Sequence, residues 1–271
     1  MANVLSARTV LDRDGVKVDD VACRHESGRG LHAEHPGHHA LVFVRRGCFL
    51  RSSSGGDALL DPTLAYCMNP GEEARYDHPH DHGDDCTSVW LDADLLASLW
   101  GGDPTLPLRP LPTSPEIDLE HRLLLAACRR GADRHELVER TITLAAGALA
   151  PGDPGRVAAG RPATAHARRA LADAAREVLA AEPERPLPDL ARALAVSPHH
   201  LSRVFRSATG HTISRHRMRL RVRAALERLG GGEHDLARLA AELGFADQSH
   251  LCRVVRAETG GTPSALRRAF A

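Results

Sequence analysis

Two sets of side chains in this 271-residue chain are of types that do chemistry. The first is imidazole and thiol. Cys23, His25, His32, His35, His38 and His39 lie close together, and His78, His80, His82 and Cys86 form a second group. Imidazole with thiolate is a soft-to-borderline ligand set suited to Zn²⁺ or another late transition metal. If strands bring the groups together, Cys23, His39, His78 and Cys86 are the candidate ligands. Their spacing matches no closed zinc motif, so the competing reading is a run of exposed histidines with His78-Pro79 as a turn. Cys48, Cys67 and Cys128 read as small buried residues.

The second set consists of donors set in a repeat. Leu201, Arg203, Val204, Arg206 and Gly210 recur fifty positions on as Leu251, Arg253, Val254, Arg256 and Gly260. Leu190-Ala191 recurs at Leu239-Ala240, forty-nine on, so the second copy carries one extra residue at its turn. Each copy reads as two short helices about a tight bend, the helix-turn-helix pattern. In the first copy Ser197-Pro198 caps the second helix, with Pro in the first turn. Leu201, Val204 and Phe205 make its buried stripe, which leaves His199, His200, Ser202, Arg203 and Arg206 outward. In the second copy Asp247 or Ser249 is the expected cap, and Gln248, Ser249, His250, Arg253 and Arg256 are the outward donors. Arg can bond guanine O6 and N7 together, so Arg203 and Arg253 are the leading candidates for contacts in the DNA major groove. A solvated Arg-rich face is the bland alternative, but the matched frame of both copies argues against it.

The elements that must position these groups follow from punctuation. Residues 38–91 hold short apolar runs such as Leu41-Val42-Phe43-Val44. They are separated by Arg46-Gly47, Ser54-Gly55-Gly56-Asp57, Asp61-Pro62 and Asn69-Pro70-Gly71, which predicts a small antiparallel barrel or sandwich. Ser114-Pro115-Glu116 opens a helix, and a second follows Gly131. This pair either covers the barrel or pairs with a second subunit. The Pro/Gly-rich run from Pro151 reads as a linker. His166 to Ala181 is a predicted helix, and Thr212 to Leu229 another. The latter is Arg-rich, with Ile213, Leu220, Ala224 and Leu229 on its apolar side. At 1.5 Å per residue it is roughly 27 Å long, a rigid spacer between two reading units.

Charge divides the same way. Residues 1–150 carry 15 Lys+Arg against 23 Asp+Glu, a net −8, and residues 151–271 carry 20 against 12, a net +8. Only the back half suits a phosphate backbone. Neither a signal peptide nor a membrane span is legible, and the six cysteines have no disulfide spacing, so a cytoplasmic protein with reduced thiols is expected.

Residues 166–271 resemble the DNA-binding domain of AraC/XylS-type transcriptional regulators. The residues that carry this are Val196-Ser197-Pro198, Leu201, Arg203, Phe205, Gly210, Arg221, Ala225, Gly244-Phe245, Asp247, Ser249-His250-Leu251, Arg253, Gly260 and Thr262-Pro263-Ser264. His216, Leu266 and Val255 replace aromatic residues usual in that family. More loosely, residues 38–91 resemble the cupin-like sensor domain of the same regulators. His38-His39, Leu41-Val42-Phe43, Gly47, Asp61-Pro62, Asn69-Pro70-Gly71, His78-Pro79, Gly83-Asp84 and Cys86-Thr87 carry that likeness.

The resemblance implies an α+β chain: an N-terminal cupin-like antiparallel β-barrel with flanking helices and a C-terminal all-α domain with two helix-turn-helix units. The expected divisions are a sensor at 1–112, a helical segment at 113–150, a linker at 151–165 and the DNA-binding domain at 166–271. The implied function is sequence-specific transcription regulation without catalysis. Double-stranded DNA and a small-molecule or metal effector are its partners, and RNA polymerase and a second copy are further candidates. The alternative is a cupin-type metal-dependent oxygenase fused to a DNA-binding tail. A DNA alkylation-repair activator would resemble a four-cysteine zinc module at its N-terminus, which is not found here. An architectural DNA binder would show little sequence discrimination.

Overall fold

The computed structural model describes residues 4–24, 32–34, 36–78, 83–100, 102, 104–150 and 162–271. His25, His35, His80 and His82 lie outside the described residues, as do 151–161 of the expected linker. The chain divides into two compact units, Met1–Ala150 with Arg221–Ala271, and Pro151–Leu220.

The first unit opens on strands β1 (Val4–Arg13) and β2 (Val16–Arg24). The turn between them is Asp14-Gly15, both at positive φ, as a two-residue hairpin matching strand twist requires. Expectation began the sheet at residue 38, and this hairpin precedes it. Its signal was weak because charged residues interrupt the apolar alternation. The remaining strands are β3 (His32–Glu34), β4 (His39–Arg46), β5 (Phe49–Ser53), β6 (Gly56–Leu60), β7 (Leu64–Met68), β8 (Ala74–Asp77), β9 (Asp84–Leu91) and β10 (Leu111–Pro112). They form two antiparallel sheets, in the orders β1-β2-β9-β4-β7-β10 and β3-β8-β5-β6.

Strand β4 shows how the layers stack. Side chains alternate across a strand, so Ala40, Val42 and Val44 face one core and Leu41 and Phe43 another. The first core lies between the sheets and contains Phe49, Leu60, Tyr66, Met68, Tyr76 and Cys86. The second lies beneath helices α1 (Ala93–Trp100), α2 (Pro115–Arg129) and α3 (Arg134–Leu149), through Leu96, Leu124, Leu137, Leu144 and Leu149. A strand buried on both faces reads as a continuous apolar run, which is why Leu41 to Val44 shows no alternation. The α2–α3 pair therefore covers the larger sheet. Ser114 caps α2 by accepting from the Ile117 amide at 3.3 Å.

The C-terminal helices are α4 (Pro162–Ala181), α5 (Leu187–Ala193), α6 (Pro198–Thr209), α7 (Ile213–Gly230), α8 (Leu236–Glu242), α9 (Gln248–Thr259) and α10 (Pro263–Phe270). Helix α4 starts four residues before the expected His166. In the second unit, α4, α5 and α6 enclose Ala172, Leu179, Leu190, Leu201 and Phe205, with Ile213 closing the cluster. On α7 the buried residues are Ile213, His216, Val222, Arg223, Ala225, Leu226 and Leu229. Expectation placed Leu220 and Ala224 on the apolar side, and both are half-buried instead.

Candidate nucleic-acid interface

Helices α6 and α9 are the second helices of the two helix-turn-helix copies, and their local chemistry is matched. Ser197 Oγ accepts from the His200 amide at 3.2 Å, and Asp247 Oδ1 accepts from the His250 amide at 2.7 Å. Each cap satisfies an orphan amide and fixes where the helix starts. Each helix ends on a left-handed glycine, Gly210 at φ 79° and Gly260 at φ 75°. A side chain there would be strained, which accounts for the repeated Gly.

Burial sorts the two faces. Leu201, Val204 and Phe205 are buried on α6, and Leu251, Val255 and Glu258 on α9. His199, Arg203 and Arg206 are exposed, with His200 and Ser202 half-buried beside them. On α9, Gln248, Ser249, Arg253 and Arg256 are exposed. Arg203 Nη2 lies 3.4 Å from His200 Nδ1, which pre-orients the guanidinium along the helix. His250 differs from its expected role as a free donor. Its Nδ1 accepts from the Ala246 amide at 3.2 Å and its ring packs edge-on to Phe245 at 5.5 Å. It closes the turn, and only its Nε2 edge is left for an outside partner.

The replaced aromatic positions are packed all the same. His216 is buried, stacked on His211 at 5.7 Å and edge-on to Phe205 at 5.4 Å. Leu266 and Val255 are buried aliphatics.

In the first unit, polar side chains join the helix-covered sheet to the C-terminal half of α7, the helix that leads into the second helix-turn-helix copy. Arg223 is buried, donates to Thr113 O at 3.0 Å and Thr113 Oγ1 at 2.9 Å, and pairs with Asp118. Arg122 pairs with Glu227, whose other oxygen is 3.6 Å from Arg45. Arg45 is the extra residue at a bulge between Val44 and Arg46 in the β4–β9 register. A bulge re-aims a side chain, and here it turns Arg45 inward toward Asp20 and the Cys86 carbonyl. Arg129 donates to Gly230 O at 3.0 Å. Among the Arg residues of α7, the sequence singles out none as buried. No periodicity could have marked Arg223 as the buried one, because its partners are about a hundred residues away.

The imidazole–thiol set is brought together only in part. Cys23 and Asp84 are register partners across β2 and β9. Asp84 and Cys86 are two apart on β9 and share its face. His78 follows β8 and reaches in from the other sheet, with Nε2 2.6 Å from Asp84 Oδ2. Cys86 Sγ is 3.2 Å from Asp84 Oδ1. His39 is a correction: it sits at the opposite end of β4, paired in register with Leu91, and its Nδ1 is 3.3 Å from Asn69 Oδ1. Five residues of strand separate it from the level of Cys86, roughly 17 Å. Asp84, not singled out as a ligand in the sequence, stands in its place. Burial pulls the His78 imidazole down, but its bonds to Asp84 and Cys23 outweigh that and hold it up at about 9. Burial and the Asp84 carboxylate push the Cys86 thiol well up.

The geometry defines a class: paired capped helices presenting matched donors are a DNA-reading device. The family described as a helix-turn-helix domain matches residues 190–269. Residues 190–269 therefore form a helix-turn-helix domain, a module that binds DNA. No curated protein matches it. Among solved structures, the chain is similar to ToxT from Vibrio cholerae O395 (10% identity, TM-score 0.35, covering 95% of this chain and 98% of that one). It is also similar to a transcriptional regulator with an AraC-type DNA-binding domain from Chromobacterium violaceum (22%, TM-score 0.37, 39% and 96%). A third likeness is to a cupin domain from Bordetella pertussis Tohama I (17%, TM-score 0.28, 33% and 94%). These scores are low, and the helix-turn-helix match carries the assignment. No helix among the described residues is long and apolar enough to cross a membrane.

Proposed function

We propose that the chain is a cytoplasmic, effector-controlled regulator that reads two stretches of major groove with α6 and α9. Base edges are contacted by His199, His200, Ser202 and Arg203 from α6 and by Gln248, Ser249, His250 Nε2 and Arg253 from α9. Arg206 and Arg256, a turn further on, take phosphates. The observation that carries this is the equivalence of Arg203 and Arg253: both exposed, at the same place on helices that each have a side-chain cap and a left-handed terminal glycine. Functionally the chain divides into a sensor at 1–112, helices at 113–150, a linker at 151–165 and a reading domain at 166–271.

The sensor holds a small ligand. What supports this is an open groove of about 660 Å³ lined by Ser53, Asn69, Glu72, Arg75 and Leu108, within the size range of small-molecule sites. Its state reaches the second reading helix through Arg122, Arg223 and Glu227. A ligand shifts that arrangement only by as much as its affinity differs between the two states.

The test is a footprint on DNA flanking the protein's own gene. Protection of adjacent major grooves, lost when Arg203→Ala and Arg253→Ala are combined, is the expected result. Binding that does not discriminate that DNA from random sequence at physiological salt, with or without candidate effectors, would overturn the reading.

A further inference from the structure

We infer that Cys23, His78, Asp84 and Cys86 form a binding site for one borderline-soft divalent metal ion of the Zn²⁺ class, cross-linking the two β-sheets of the first unit. The ligand atoms of Cys23, His78 and Asp84 all lie within 4.8 Å of one another. Cys86 Sγ lies 3.2 Å from the other oxygen of Asp84, outside this trio, and its side chain turns toward the trio to supply the fourth ligand. A tetrahedral centre with bonds of about 2.0–2.3 Å sets its ligands roughly 3.3–3.8 Å apart. The Cys23, His78 and Asp84 ligand atoms therefore need shifts of about an ångström to reach such a centre. The mix of two sulfurs, one imidazole and one carboxylate disfavours Mg²⁺ and Ca²⁺, which take oxygen, and favours Zn²⁺ or Co²⁺.

The surrounding backbone is fixed for this. Gly83 has φ +62°, and a Cβ there would meet Cys23 O at 2.0 Å, so only glycine lets the strand end close on Cys23. Arg24 donates to both Cys23 O and Asp84 O at 3.1 Å, clamping the two ligand-bearing strands together. Cys23 and Cys86 are buried, so they are shielded from oxidants that would otherwise compete. On binding, each thiol gives its proton to solvent and coordinates as thiolate, and His78 gives up the proton it holds against Asp84 and coordinates as neutral imidazole. Neither the groove nor the DNA-reading helices contribute a ligand, so the inference is independent of the function proposed above.

The experiment uses the full chain, stripped with chelator and kept reduced, and Co²⁺ as the probe. One equivalent should bind, with the visible bands of a tetrahedral centre and a thiolate-to-cobalt charge-transfer band in the near ultraviolet. X-ray absorption on the unmutated Zn²⁺-loaded chain should count two sulfur and two nitrogen or oxygen neighbours, which reads the ligand set without relying on a variant that folds. Cys23→Ser and Cys86→Ser should each weaken Co²⁺ binding more than about tenfold, while Cys48→Ser and His39→Ala leave it unchanged. Substoichiometric Co²⁺, a spectrum without the charge-transfer band, or a band that survives Cys23→Ser or Cys86→Ser would overturn the inference.

Discussion

Arg203 and Arg253 are long, exposed and always charged, so their worth depends on what they meet. Arg203→Ala or Arg253→Ala should each cost about 1–3 kcal/mol of operator affinity and relax specificity at one groove, measured by anisotropy on the footprinted site and on point-mutated operators. Unchanged affinity in both variants would mean α6 and α9 are not the reading helices. His121 gives a second test at the same scale. It is buried in α2, 4.8 Å from the Phe43 ring. Burial first, then the charges of Arg122 and Arg45, hold its pKa well below the ordinary 6.5. The folded protein keeps it neutral, while the unfolded chain takes up a proton below about pH 6.5. Stability from this group is thus full above that pH and falls as pH drops. Urea midpoints measured down that range should decline in the natural protein and decline less in His121→Phe. Equal slopes would remove His121 as the cause.

Helix α7 carries the clearest lesson about elements. Its sequence reads as an Arg-rich spacer with Ile213, Leu220, Ala224 and Leu229 on its apolar side, yet Arg223 is buried against Thr113 and Asp118 from the segment that opens α2. Taking away one member of a buried pair leaves the other charge desolvated. Asp118→Asn should therefore destabilise the first unit by about 3 kcal/mol, read as a lowered denaturant midpoint at constant slope. The double variant Asp118→Asn with Arg223→Met should recover part of that loss, since it leaves no lone charge. If the single variant unfolds with the natural midpoint, the pair is incidental. The caps and terminal glycines of α6 and α9, by contrast, were legible in the chain because cap chemistry acts over three or four residues. The β1–β2 hairpin was not, since a half-charged edge pair acquires its meaning only against β9.

At the scale of the whole molecule, the second helix-turn-helix copy shares a compact unit with residues 1–150, and the first has its own core of α4, α5 and α6. A fragment spanning 162–271 should keep amide protection in α5 and α6 and lose it in α8–α10, because Arg223, Glu227 and Gly230 then lack their partners. Hydrogen exchange compared with the full chain checks this, and equal protection throughout would show those contacts to be dispensable. The sequence alone determined the duplicated helix-turn-helix units, the Ser197 cap, most of the outward donors and the charge split between the halves, all of which rest on local spacing. Only the tertiary structure decided that Asp84 and not His39 joins Cys23, His78 and Cys86, that Arg45 turns inward at a bulge, and that Arg223 is buried. Those outcomes depend on strand register and on contacts between residues far apart in the chain, where a shift of one position sends a side chain to the other face.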